Sequence, residues 1–369
     1  FSVSHRHATT FPGVAGGVGN VIDAAGPETY QCFGRDNAFL MEMHKDGERR
    51  PVMCEFYNWY SPSSAHDVRG FAQHLMHGEC FYNFHIQQIF SQVSFYMWTW
   101  APERANAFRQ VFGKARAIRE YLDVPASAAN VALLCSEMTA CRFGSTGPLG
   151  SRWYQHQSAL WTALQQSQIP ADVIWAETMT AEKLARYRVL LLLDGRMLTR
   201  QQAGLLRAWV RSGGVLVSGG ATSLFDDTPA PMASYAMSDV FGVAYAGLAG
   251  AGTNESDTFG FVHPLPPVPV QPGLTPESVR DYVHRDVKPE KSLARYTLAD
   301  KASERLPGMA PGTACEYDMP LGYDDVNPGS AEVLATFANG DPALTFNSAG
   351  KGACYFWTPI YPGLCHVTS

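Results

Sequence analysis

The sequence lacks several features that would assign the protein to a simple class. Its 369 residues contain no apolar run of 18 residues, so no transmembrane helix is predicted. Acidic residues outnumber basic ones, 34 to 28, and a net charge of −6 leaves no basic field for nucleic acid or an anionic membrane. No C-x-x-C pair occurs among the 8 cysteines, which argues against the common zinc and thioredoxin-like motifs.

The beginning of the chain also lacks expected features. It starts at Phe1, with neither an initiator methionine nor a hydrophobic signal segment. We therefore expect the natural protein to have residues before Phe1, where any export signal would lie.

Cys54, Cys135 and Cys354 stand inside apolar runs and are expected to be buried and reduced. Reduced cysteines favour a reducing compartment, so a cytoplasmic location is predicted.

What the sequence does contain is typical of a globular protein of two or three domains. Hydrophobic residues make up 46% and charged residues 17%, which argues against disorder. Aromatic residues reach 12%, with 8 Trp and 16 Tyr. Aromatic faces serve carbohydrate sites but also ordinary cores and interfaces, so this enrichment alone does not choose between them.

Residues 1–124 alternate between apolar strand-like runs and amphipathic helical patterns. That alternation indicates a parallel sheet or a β/α barrel, but three strands cannot close a barrel of eight. The predicted strands are Asn20–Asp23, Pro51–Phe56 and Gly78–Ile86, and the predicted helices are Arg35–Asp46, Ser64–His77 and Glu103–Leu122.

The pattern starts again near residue 125, and residues 125–369 form the second predicted domain. Its first half reads β-α-β-α-β-α-β, which is typical of an open doubly wound sheet. Residues 222–330 are rich in Gly, Pro and Asp and are expected to be an irregular insertion, followed by closing hairpin-like strands. The predicted strands are Asn130–Cys135, Ala171–Trp175, Arg188–Leu193, Gly214–Ser218, Val333–Phe337, Ala343–Asn347 and Ala353–Thr358, and the helices are Ser151–Gln166, Ala181–Tyr187 and Thr199–Ser212.

Glu55 is the main candidate for a catalytic residue. It stands at the end of the apolar run Pro51–Phe56, and Asn58 and Trp59 follow directly. A strand that delivers one acidic side chain to its carboxyl end is how barrel enzymes present a catalytic group, although a Glu in an ion pair at a strand end fits the same pattern. The next predicted strand ends in Phe84 and His85, so further polar and aromatic groups accumulate at the same edge.

These residues resemble the last barrel strands of glycoside hydrolase family 42, the β-galactosidase-like enzymes. The resemblance rests on Glu55 with Asn58-Trp59, on His77-Gly78, and on Phe84-His85. The second domain resembles the trimerisation domain of that family, which has a flavodoxin-like α/β fold related to class I glutamine amidotransferases. The segments that carry this second resemblance are Ile169–Glu177, Tyr187–Asp194, Leu206–Gly214 and Gly350–Gly352.

The resemblance implies a retaining glycoside hydrolase that acts on terminal β-galactosides or related glycosides without a cofactor or metal. Glu55 would be the nucleophile, and Asn58, Trp59, Phe84 and His85 would bind the sugar. The family's acid/base, an Asn-Glu pair after the fourth barrel strand, would precede Phe1, so this polypeptide alone is expected to be inactive. The second domain would form a homo-oligomer, a trimer in the family.

The sequence argues against one rival enzyme function and leaves one function of a different class open. An amidotransferase would need a nucleophilic Cys on the turn at Val217–Ala221, where none is present, and Ser218 has no Asp and His partners in the expected order. A non-catalytic oligomerisation or interaction module remains the alternative of a different class, because the same fold serves unrelated functions.

Overall fold

A computed structural model describes most of the chain from residue 28 to residue 359. The described residues are 28–30, 34–47, 52–57, 65, 68–69, 72, 75–77, 79–84, 102–122, 127–143, 152–227, 231–249, 293–318 and 323–359. Two compact units divide the chain, one of Phe1–Ala128 with Asp172–Ile174 and one of Ala129–Ala171 with Trp175–Ser369. The protein is a mixed α/β structure, and the assignment of residues 1–124 and 125–369 to two functional domains stays a prediction.

The first unit contains a parallel three-stranded sheet in the order β1-β2-β3. Strand β1 is Glu28–Tyr30, β2 is Val52–Tyr57 and β3 is Glu79–Phe84. Helix α1, Gly34–Lys45, lies between β1 and β2 in the chain. The predicted helix Glu103–Leu122 is present as α2, Pro102–Ala117, and α3, Arg119–Leu122. The predicted strand Asn20–Asp23 lies outside the described residues.

The second unit is built on the parallel strands that the sequence predicted. They are β4, Val131–Cys135; β5, Ala171–Trp175; β6, Val189–Leu193; and β7, Val215–Gly219. The helices between them are α4, Glu137–Phe143; α5, Arg152–Gln166; α6, Ala181–Leu184; and α7, Arg200–Ser212, with a 3₁₀ turn at Ala176–Thr178. Leu190, Leu192 and Leu216 are fully buried, as expected for parallel strands covered on both faces.

Five of the remaining strands, β9, β10, β12, β13 and β14, extend this sheet to nine strands in the order β10-β9-β12-β13-β14-β7-β6-β4-β5. The other two, β8 and β11, form a separate two-stranded ribbon. Strand β14 runs parallel to β7, whereas its other neighbour β13 is antiparallel. The bounds are β8, Val243–Ala249; β9, Leu293–Leu298; β10, Ala314–Asp318; β11, Tyr323–Pro328; β12, Glu332–Phe337; β13, Pro342–Ala349; and β14, Gly352–Trp357.

The expectation that residues 222–330 are irregular is wrong for parts of this stretch, of which residues 228–230, 250–292 and 319–322 lie outside the described residues. It contains four strands, β8 to β11, and the short helices α8, Ser238–Phe241, and α9, Ala302–Arg305. These strands were missed because their antiparallel pairing leaves alternate residues polar. Strand β9 shows this alternation, since Tyr296 and Leu298 are buried while Arg295 and Thr297 are exposed.

Local sequence signals explain where helix α7 begins and ends. Thr199 accepts a hydrogen bond from the Gln202 amide, and the Gln202 side chain accepts one from the Thr199 amide, which completes a capping box at α7. Gly213, with φ of 129°, ends the helix in a conformation that favours glycine. Among the described residues no helix is both long and apolar enough to cross a bilayer.

Candidate functional site

The backbone of the first unit places Glu55 in the middle strand of its sheet. In the parallel register, Glu55 is paired with Glu28 of β1 on one side and with Asn83 of β3 on the other. Adjacent strands lie about 4.8 Å apart, so these three backbone positions form one row across the sheet. The register therefore brings two acidic residues and one residue with an amide side chain to neighbouring backbone positions.

The predicted site residues are only partly within the described chain. Glu55 stands two residues before the end of β2, and Phe84 is the last residue of β3, paired one step further along than Asn83. Asn58, Trp59 and His85 lie outside the described residues. The register therefore brings the backbones of Glu55 and Phe84 onto neighbouring strands and leaves the other three positions as predictions.

Two features of the first unit were missed by sequence reasoning. Glu28 was missed because β1 has only three residues, too few for a periodic pattern. The second is an ion pair between helix α1 and the turn before β3, in which His77 Nδ1 lies 2.6 Å from Glu42 Oε1 and Lys45 Nζ lies 2.8 Å from the same oxygen. Burial raises the pKa of Glu42, but the bond with His77 and the charge of Lys45 outweigh burial and lower it overall.

The carboxyl ends of β4 and β5 carry a pair of glutamates in the second unit. Glu137 follows β4 and begins α4, and Glu177 lies in the 3₁₀ turn after β5. The Met138 amide donates to Glu177 Oε1 at 3.1 Å, so the Glu177 carboxylate covers the first turn of α4. Burial and the charge of Glu177 raise the pKa of Glu137 to about 7. Burial also raises the pKa of Glu177, against several hydrogen bonds that lower it.

A buried charged group lies beyond the end of β6. Arg196 donates through Nε to Asp194 Oδ1 at 2.7 Å, and the exposures of the two side chains are only 1% and 0%. Asp194 has φ of 59°, which is uncommon for a residue other than glycine. Burial, together with the charge of Arg196, lowers the pKa of nearby His156 to about 3. This histidine is therefore neutral at physiological pH.

The segment Val217–Ala221, in which the sequence offers Ser218 but no Cys, spans the end of β7 and the turn that follows it. Ser218 is buried, and its hydroxyl donates to the Leu192 carbonyl at 3.0 Å. The amide of Ala221 donates to Asp324 Oδ2 at 2.7 Å. The Ala221 amide therefore has its acceptor within the chain.

The described residues contain no group of three or more His, Cys, Asp or Glu side chains arranged to hold a metal ion. The acidic residues at the sheet edge instead bond to backbone amides, to Tyr235 and to Arg196. One carboxylate oxygen of each of Glu177, Asp194 and Asp324 therefore accepts a hydrogen bond from within the chain.

Comparisons by sequence identify nothing: no family model matches the chain, and no curated protein matches its sequence. Solved structures do match. A β-galactosidase from Bacillus circulans sp. alkalophilus aligns with 97% of this chain and 50% of its own at 15% identity, with a TM-score of 0.65. A β-galactosidase from the haloarchaeon Halorubrum lacusprofundi aligns with 98% and 52% at 15% identity, with a TM-score of 0.63.

A catalytic mutant of a family 42 (GH42) β-galactosidase from G. stearothermophilus aligns with 96% of this chain and 48% of its own at 15% identity, with a TM-score of 0.60. Identities at this level establish the fold alone. The chain has the fold of GH42-type β-galactosidases, as the sequence resemblance predicted, and it spans about half the length of these structures.

Proposed function

We propose that this chain is part of a retaining glycoside hydrolase of the β-galactosidase type and that Glu55 is its nucleophile. The observation that carries the proposal is the position of Glu55 in a GH42-like fold, on a central parallel strand between Glu28 and Asn83. The matched structures include an exo-β-1,4-mannosidase and an α-L-fucosidase besides the β-galactosidases, so a glycosidase is supported more firmly than any one sugar.

The proposed reaction is a double displacement. A carboxylate oxygen of Glu55 attacks the anomeric carbon, and the bond from this carbon to the leaving oxygen breaks as a second carboxylic acid protonates that oxygen. The second group then removes a proton from water, which attacks the same carbon and releases Glu55. Asn58, Trp59, Phe84 and His85 are proposed to bind the sugar, and the resemblance assigns the acid/base to an Asn-Glu pair on an earlier barrel strand.

The nucleophile is tested by covalent trapping in a protein that carries the complete barrel. A 2-deoxy-2-fluoro-β-galactoside with a good leaving group is expected to add one sugar to the peptide that contains Glu55. Glu55→Gln should remove this label and lower kcat/KM on the order of 10⁴-fold or more, because no covalent intermediate can form. Glu28→Gln is the matched control and should keep the label on Glu55. Labelling of Glu28 or of any other residue in the wild type would contradict the assignment.

The polypeptide of residues 1–369 tested alone is expected to be inactive. General acid assistance accelerates such reactions about 10²–10⁴-fold. The acid/base that the resemblance implies, an Asn-Glu pair on an earlier barrel strand, has no assigned counterpart within residues 1–369. The measurement is release of nitrophenol from a nitrophenyl β-galactoside. Turnover above that of Glu55→Gln would show that the acid/base lies within residues 1–369.

We also propose that the second unit is a flavodoxin-like module for homo-oligomer assembly. Its parallel strands follow the order β5-β4-β6-β7-β14, which matches the 2-1-3-4-5 order of flavodoxin-type sheets. Light scattering at several protein concentrations tests the assembly, and a mass three times that of one chain is expected. A monomer at all concentrations would contradict the assembly role and leave the hydrolase proposal intact.

A further inference from the structure

Asp324 of β11 connects three parts of the second unit that are far apart in the chain. Its side chain has no exposed surface. Asp324 Oδ2 accepts hydrogen bonds from the Ala221 amide at 2.7 Å and from the Tyr235 hydroxyl at 2.6 Å. Its own amide donates to the Thr358 carbonyl at 2.9 Å. A single carboxyl group therefore links strand β11, the turn after β7 and the segment before α8.

The turn that Asp324 contacts has an unusual backbone. Gly220, Ala221 and Ser223 have φ of 61°, 58° and 59°, and the latter two are rare for residues with a side chain. The Ser223 amide donates to the Gly195 carbonyl at 2.9 Å, which holds one end of the turn. Ala221 is fully buried, so without Asp324 its amide would lose its acceptor away from water.

The ribbon of β8 and β11 depends on such attachments. Two-stranded sheets are marginal when isolated, because they bury too little surface to offset the ordering of their backbone. Besides Asp324, the contacts of the ribbon include a bridge between Tyr323 and Pro359 and a bond from the Tyr245 amide to Ser234 Oγ at 3.0 Å. The Tyr323 hydroxyl of β11 also donates to Asp341 Oδ2 at 2.6 Å, but Asp341 is partly open to solvent, whereas the carboxyl group of Asp324 is fully buried.

We propose that Asp324 is a latch that fastens the β8–β11 ribbon to the turn after β7, and that the ionisation of its carboxyl group controls local opening of the ribbon. Oδ2 accepts both hydrogen bonds, and Oδ1 has no hydrogen-bond partner among the described residues. A proton can therefore be held on Oδ1 while both bonds to Oδ2 remain.

The charges around the latch determine the direction of the effect. Burial raises the pKa of Asp324 to about 6, against the bonds from Tyr235 and Ala221 and the charge of Arg196, which lower it. Arg196 comes from the loop after β6, where it is paired with Asp194. The pKa of Tyr235 is raised by burial and by the charge of Asp324 and the bond to it, with smaller contributions from Tyr245 of β8 and Asp325 of β11.

The pKa of Asp324 is raised only while the ribbon is closed, because only then is the carboxyl group buried. The closed form therefore binds the proton more tightly than the open form does. The latch is therefore strongest when Asp324 is protonated, and its contribution is lost as pH rises from about 4 through about 6. Above pH 6 the ionised carboxylate gains hydration when the ribbon opens, so opening becomes more frequent.

Hydrogen exchange of the full chain, read by mass spectrometry and corrected for the intrinsic pH dependence, tests this proposal. Protection of β8 and β11 is expected to fall about tenfold between pH 5 and pH 7.5, as a pKa of about 6 in the closed form and an ordinary one in the open form require. Asp324→Asn, whose amide oxygen can accept both bonds, should make protection independent of pH. The control Asp325→Asn removes a neighbouring charge and should keep the dependence.

A second variant covers the case in which Asp324→Asn does not fold. Tyr235→Phe removes a donor that lowers the pKa of Asp324, so the midpoint of the change in protection should move to higher pH. Protection that stays constant between pH 5 and pH 7.5 in the wild type would overturn the proposal. So would a wild-type pH dependence in Asp324→Asn, or an unchanged midpoint in Tyr235→Phe.

Discussion

The two units each contain a carboxylate that is largely enclosed and hydrogen-bonded, yet the pKa of the two groups moves in opposite directions. Glu42 of the first unit has a lowered pKa, whereas Asp324 of the second unit has one raised to about 6. Burial pushes both pKa values upward. The partners differ: Glu42 bonds to Lys45 and His77, while Asp324 bonds to a neutral hydroxyl and a backbone amide.

The difference indicates that the hydrogen bond from His77 and the charge of Lys45 outweigh burial at Glu42, whereas the bonds from a hydroxyl and an amide do not outweigh it at Asp324. It also gives the two units opposite pH responses. Glu42 has a lowered pKa, so its contribution to stability is present above about pH 4.5 and is lost as pH falls. Asp324 has a raised pKa, so its contribution is present below about pH 4 and is lost as pH rises through about 6.

The largest effect is expected from Asp324→Ala. This variant leaves the buried Ala221 amide and the Tyr235 hydroxyl without an acceptor, at about 1–3 kcal/mol each, so the free energy of unfolding should fall by about 3 kcal/mol at pH 7. Asp324→Asn keeps an acceptor in place and should stay within about 1 kcal/mol of the wild type. Urea denaturation at pH 7 measures both values.

Comparison of the two variants is informative in either direction. Equal losses in Asp324→Ala and Asp324→Asn would mean that the negative charge itself stabilises the second unit, and the contrast between Glu42 and Asp324 would disappear. A loss confined to Asp324→Ala supports the view that acceptor geometry matters here and that charge is tolerated.

A smaller loss in the free energy of unfolding is expected from Glu42→Gln, with a pH dependence opposite to that expected of Asp324. This variant removes the partner of Lys45 and His77 and should lower the free energy of unfolding by about 1 kcal/mol at pH 7, with less difference near pH 3.5. Urea denaturation at the two pH values measures the change. Glu120→Gln, at an exposed position of the same unit, is the control. A deficit in Glu42→Gln that grows towards low pH would contradict the assigned direction of the pKa.

The sequence predicted the strands β4 to β7 well because each is a short apolar run. Val189–Leu193 is buried or half-buried at every position, and such runs are typical of strands covered by helices. The GH42-like fold was also predicted, through residues around Glu55 and in the second domain. The strands of residues 222–330 were missed, because their exposed positions carry polar residues and their neighbours are rich in Gly and Pro.

Contacts between distant residues could not be predicted from one sequence. Asp324 and Ala221 are 103 positions apart, and only the fold places them at 2.7 Å. The same holds for Glu42 and His77, which are 35 positions apart and meet because a helix and a turn flank the same strands. Glu55 could be proposed from the sequence because its signal is local: an acidic residue that ends an apolar run and is followed by an amide and an aromatic residue, Asn58 and Trp59.

The smallest effect is expected from Glu137→Gln. This variant tests whether a partly exposed carboxylate next to a second carboxylate loses stability with rising pH, as is expected of Asp324. Burial and the charge of Glu177 raise the pKa of Glu137 to about 7, so its stabilising contribution is lost as pH rises from about 4.5 through about 7. Because Glu137 is half-exposed, solvent screens part of this effect, and only a shift of a few degrees in Tm is expected.

Thermal unfolding from pH 6 to pH 8 measures the response of this glutamate pair. The Tm of the wild type should fall with rising pH relative to that of Glu137→Gln, while the exposed Glu182→Gln should follow the wild type. If the Tm of Glu137→Gln and that of the wild type change in parallel with pH, solvent screens the repulsion between the two glutamates. The pH response expected of Asp324 then requires complete burial of the carboxyl group. If the two Tm values diverge, a half-buried carboxylate next to a second carboxylate already shows the pH response that is expected of the buried Asp324, and burial is the cause that the two groups share.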